Sequence, residues 1–208
     1  MVDRASSTKE DRVTGWAWWY PVLAVVAVAV GVYFAVQGAA RRGADRATCW
    51  SHTLMAAGMA AMFSPWPDLI PTLAGTLVFT VLGAWFAAVR LRQGPDGTGE
   101  ATHIAVGAAA MVVMYLGMSS PSSTAEAATG HAGHLAAQPG SSSLLTVAVG
   151  LALTGYFAWH AWETTSSTRR ADPVGGPGGT ATVSRVRTET TAHVVLDVLM
   201  AVMFLSML

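Results

Sequence analysis

Six long, almost uncharged apolar runs dominate this sequence and leave few folds open to it. They fall at roughly 16–38, 47–64, 69–91, 102–119, 143–163 and 191–208. Each has about 18 to 23 residues, and at about 1.5 Å per residue a helix of that length spans a hydrocarbon core of about 30 Å. Only 12% of the 208 residues are charged and 52% are hydrophobic, whereas soluble domains carry about 25% charged residues. The expected fold is therefore all-α, a polytopic membrane bundle of six transmembrane helices over 16–208. A polar tail (1–15) precedes it, and flexible loops are expected at 119–142 and 164–190. The first run exceeds the core of a signal peptide and reads as a retained span.

Arginines give the bundle a direction. The connection after the first span carries Arg41, Arg42 and Arg46; the third is followed by Arg90 and Arg92, and the fifth by Arg169, Arg170, Arg185 and Arg187. The two remaining connections carry no Lys or Arg. The positive-inside rule puts loops 39–46, 90–101 and 164–190 in the cytoplasm and both termini outside a plasma membrane. Arg4, Lys9 and Arg12 in the N-terminal tail oppose this orientation but are outnumbered. Trp16, Trp18, Trp19 and Tyr20 form an interfacial belt on the first span, and SPWPD makes a tight proline turn after the second. A formal net charge of zero suggests no nucleic-acid partner. The one cysteine, Cys49, permits no intramolecular disulfide.

Methionine is placed unevenly. Apart from Met1, every one of the ten lies in the second, fourth or sixth span, and each of those spans opens with a histidine. The second has His52, Met55, Met59 and Met62; the fourth has His103, Met111, Met114 and Met118; the sixth has His193, Met200, Met203 and Met207. At 100° per residue the Met at +7 and +10 lie about 20° and 80° to one side of His, while the fourth span is displaced by one residue. Alternate spans run the same way, so the three His share one level and the Met climb from it. His160, at the end of the oppositely directed fifth span, reaches that same level. Asp197 follows His193 by one turn on the same face, and a carboxylate so deep in a span should face the interior and orient an imidazole. His131 and His134 lie in the outer loop.

Thioether, imidazole and thiolate are the ligand set of a soft ion, copper(I) above all. Stacked Met could hold such an ion at successive depths, each site weak enough to release it. The candidate ligands are thus the nine Met, His52, His103, His193, His131 and His134, with Asp197 behind His193 and with Cys49 and His160 as further donors. Methionine is also a flexible gap filler, and the Ala and Gly between the Met of MAAGMAAM suit close helix packing. The alternative is therefore a structural or accessory subunit of a larger membrane complex. A haem-binding electron carrier is the weaker third reading, because two-His haem ligands normally lie well inside a span. No P-loop, nucleophile elbow or HExxH pattern is present, and no enzyme activity is expected. The expected partners are the lipid bilayer and a membrane or extracytoplasmic protein of unknown identity.

SHTLMAAGMAAMFSPWPDLIP, THIAVGAAAMVVMYLGM and AHVVLDVLMAVMFLSML resemble the domain of unknown function 5134 family, integral membrane proteins of actinobacteria. The resemblance covers about 45–208. It implies a membrane protein with His followed by spaced Met in repeated helices, a Trp/Pro turn, and a polar outer loop often rich in His and Met. It implies no activity. Two departures stand out: the outer loop has His131 and His134 but no Met, and no Met occupies the first two turns after His103.

Overall fold

A computed structural model describes residues 19–64, 70–94, 99–118, 144–170 and 180–206. Among them are six α-helices: α1 (Trp19–Ala40), α2 (Ala44–Phe63), α3 (Thr72–Gln93), α4 (Gly99–Met118), α5 (Leu144–Arg170) and α6 (Thr180–Ser206). Each of the six expected apolar runs overlaps one of these helices. Four helical stretches, 19–40, 72–93, 99–117 and 187–206, are long and apolar enough to cross a membrane. The protein is thus an all-α membrane protein. Neither α2 nor α5 is among the four; in α2, Asp45, Arg46, Ser51, His52 and Thr53 dilute the apolar residues.

The chain divides into two compact units, 1–134 and 135–208. In the first, α1 packs on α2, α3 on α4, and α2 on α4. The contacts give the directions. Tyr20 stacks near Phe63, Gly31 meets Ala56 and Gly38 meets Cys49, so α1 and α2 are antiparallel. Gly75 meets Tyr115, Gly83 meets Ala108 and Arg90 bonds Thr102, so α3 and α4 are antiparallel too. Between α2 and α4 the numbers rise together, His52 with His103, Met55 with Gly107 and Gly58 with Met111, and these helices are parallel. In the second unit α5 packs on α6 as an antiparallel pair, with His160 beside Asp197 and Phe157 beside Phe204.

Glycine shapes the connections. Gly43 (φ 65°) makes the short turn between α1 and α2, and Gly94 (φ 70°) ends α3, a left-handed conformation that carries no Cβ penalty for glycine. Arg90 closes the α3 end from above: its guanidinium donates to the Gly94 carbonyl and, at 3.1 Å, to Thr102 Oγ1 on α4.

Small residues also let the helices of the first unit approach closely, as membrane packing requires where no water drives association. At Gly83 a Cβ would meet the Ala108 Cβ at 3.4 Å, an ordinary contact. Gly83→Ala should therefore leave stability unchanged or raise it by up to about 1 kcal/mol. Detergent-melt or SDS-unfolding midpoints would check this.

Two boundaries depart from the sequence expectation. The segment 164–190 was expected as a flexible loop, but α5 runs on to Arg170 and α6 starts at Thr180. Hydroxyl side chains in these polar turns bond back to the helix. Thr165 bonds the Ala161 carbonyl, Ser166 and Ser167 that of Glu163, and Thr191 that of Arg187, all at 2.8–2.9 Å. Such side chains satisfy their own hydroxyls on the preceding turn. Of the other expectations, the N-terminal tail, most of the SPWPD turn and the 119–142 loop lie outside the described residues.

Candidate functional site

The parallel contact of α2 and α4 creates a buried seam in the first unit. From α2 it receives His52, Met55 and Met59, and from α4 His103, Met111 and Met114, all buried; none is more than 5% exposed. Opposite faces of α2, marked by Leu54 and Ala57, are exposed. An (i, i+3, i+4, i+7) spacing puts 52, 55 and 59 on one stripe of the helix, and that stripe is the one that meets α4.

At one end of the seam two imidazoles lie together. The His52 and His103 rings are 6.3 Å apart, centre to centre, at 29°. Phe34 of α1 stacks on the far side of His52 at 4.8 Å and 24°. His52 Nδ1 is 3.0 Å from the Thr48 carbonyl oxygen one turn earlier. A carbonyl only accepts, so Nδ1 carries the proton and the basic lone pair resides on Nε2. A backbone carbonyl behind one ring nitrogen is the arrangement that orients histidine as a metal ligand through the other.

Beyond the imidazoles the thioethers interlock with glycines of the facing helix. Met55 Sδ lies 2.9 Å from where a Cβ on Gly107 would sit. In the reverse direction, Met111 Cε lies 2.6 Å from the Cβ position of Gly58, with Phe79 Cζ of α3 at 2.8 Å. The one-residue displacement of the Met pattern in α4 thus has a structural counterpart. Gly107, not the residue three after His103, stands beside Met55, and Met111 keeps pace with the Met of α2.

The other sequence candidates have these surroundings. Met62 is half-buried near the end of α2. Cys49 is buried against Gly38 of α1, with its Cβ 3.2 Å from the Cβ position there. Met200 and Met203 are buried on α6 in the second unit, where His193 is half-buried. The side chains of Met118 and Met207 lie outside the described residues, as do His131 and His134.

Asp197 departs from expectation. Sequence spacing paired it with His193 on its own helix, but Asp197 Oδ2 accepts from His160 Nδ1 of α5 at 2.7 Å. The antiparallel α5/α6 pairing brings these residues to one level, and no periodicity within a single helix reports that. The Tyr156 ring stacks on His160 from the preceding turn at 6.2 Å. Sequence reading also missed Phe34, an apolar residue with nothing to mark it among the many of α1. Gly58 and Gly107 were visible as small residues between Met, but their notch role needs the register.

A family model described as Domain of unknown function (DUF5134) matches residues 44–207. No curated protein and no solved structure matches the chain.

Proposed function

The chain belongs to the domain of unknown function family DUF5134, and on that premise we propose that it binds and passes a soft metal ion, copper(I), through the membrane rather than catalysing a reaction. In this reading all six helices span a plasma membrane, with the Arg-rich connections in the cytoplasm and both termini outside. His131 and His134 gather the ion outside. Met62 stands at the outer mouth, with Met59 and Met114 midway. His52 and His103 receive it on the inner side.

One observation carries the proposal: a buried imidazole pair, with the His52 lone pair fixed on Nε2, opens a seam lined by four buried thioethers. Imidazole and thioether are neutral donors. They compensate no charge in a low-dielectric interior, which favours a singly charged ion over a divalent one. Several weak sites in succession are also what passage requires.

The interlocked glycines favour a second reading. Met55 in the Gly107 notch and Met111 in the Gly58 notch are good packing in their own right. On that reading the protein is a structural or accessory subunit, and Met is the adaptable filler of its seam.

Copper content separates the two. Protein purified in detergent from copper-supplemented cells should hold about one or more copper per chain. The quadruple variant Met55→Leu, Met59→Leu, Met111→Leu, Met114→Leu nearly conserves volume and apolarity, at a cost below about 1.5 kcal/mol per site. It should lose the copper and keep its helicity. A wild-type protein without copper would sink the metal reading and leave the seam as packing.

A further inference from the structure

We infer that the α5/α6 pair of the second unit carries a cation site of different character, formed by His160 and Asp197 and suited to a borderline divalent ion such as zinc(II) or copper(II). It stands independently of the copper(I) seam. Asp197 is 1% exposed within the apolar run HVVLDVLMAV. A carboxylate held so deep in a helix of this kind is costly, and such groups mark ion paths and binding sites.

The geometry is ready for an ion. Nδ1 and Oδ2 come from different helices and stand 2.7 Å apart. Two donors bonded to one tetrahedral zinc-like ion at about 2.0–2.2 Å lie about 3.4 Å apart, so the pair would open by about 0.7 Å to admit one. An ion could replace the hydrogen-bonding proton with a small side-chain adjustment and no backbone movement. The donor set differs from the seam in the property that matters: a carboxylate supplies the negative charge that a divalent ion needs in a dry interior, and imidazole with carboxylate is a borderline-to-hard pair. His160 is 29% exposed, which leaves a way in. Water can complete the set.

The test uses the full chain in detergent, with cobalt(II) as a visible-absorbing stand-in for zinc(II). Wild type should bind about one cobalt(II) per chain with nitrogen/oxygen ligand-field bands, and zinc(II) should displace it. Asp197→Asn and His160→Gln should each weaken cobalt(II) at least about 10-fold. The quadruple Met→Leu variant should bind it as wild type does. Absence of cobalt(II) from wild type, unchanged binding in Asp197→Asn, or loss in the quadruple variant with helicity retained would each overturn the site. If either variant fails to fold, carbethoxylation of wild-type His160 by diethyl pyrocarbonate, mapped by mass spectrometry, decides instead. Zinc(II) should protect His160, and unprotected labelling would overturn the proposal.

Discussion

Alanine at Gly75 should destabilise the first unit by about 2 kcal/mol, the largest loss expected from adding a single methyl group to this protein. Gly75 of α3 lies directly against the Tyr115 ring of α4, and a Cβ there would overlap Cε1, Cζ and Cδ1 together. The ring has no retreat. Tyr115 is 2% exposed, and Phe79 stacks on it at 5.9 Å and 24°. Overpacking of this kind costs about 1–3 kcal/mol and outweighs the gain of up to about 1 kcal/mol from replacing a helical glycine. Gly58→Ala should cost less, because its closest neighbour is the flexible end of Met111 and the Phe79 ring it also meets lies farther from the added methyl than the Tyr115 ring does at Gly75. The ordering Gly75 worse than Gly58, with Gly83 neutral, is measurable by SDS-unfolding midpoints. Equal effects at all three would show that the helices adjust freely around their glycines.

How much of this was legible beforehand depends on the range of the signal. Helix existence came through because hydrophobic length is a local property: each expected span has its helix. Helix ends did not, since hydropathy falls where the chain becomes polar while the hydrogen-bond ladder continues. Thr165, Ser167 and Thr191 satisfy their hydroxyls on carbonyls of that ladder. The stripe on each of α2 and α4 was legible because it repeats at helical spacing, but that the two stripes meet was not, because contact between helices leaves no periodic mark. The exact meshing was not, because it depends on Gly107 and Gly58 as notches, and a notch is defined by the neighbour that fills it. Asp197 illustrates the remaining gap. Its depth in an apolar run announced a role, but its partner sits on α5, and the nearest titratable neighbour in sequence, His193, drew the assignment.

The second large effect concerns metal affinity. His52→Leu should lower copper(I) affinity at least about 100-fold, while stability changes by no more than about 1 kcal/mol. The two quantities separate because His52 serves them differently. Toward a metal it supplies a donor atom, Nε2, whose tautomer the Thr48 carbonyl fixes; changing the group behind such an imidazole already costs about 10–100-fold, and removing the imidazole should cost at least as much. Toward the fold it supplies bulk between Phe34 and His103, which leucine largely restores. The Thr48 carbonyl keeps its backbone partner within the helix, so the lost side-chain bond costs only about 1 kcal/mol. His103→Leu should behave alike if both rings bind one ion, and the double variant should then lose little more than either alone, since ligands of one site are not additive. Competition with a chromogenic copper(I) chelator measures all three proteins on one scale. Additive losses would assign the two imidazoles to separate ions. Unchanged affinity in both single variants would confine the ion to the thioethers and remove the imidazoles from the path.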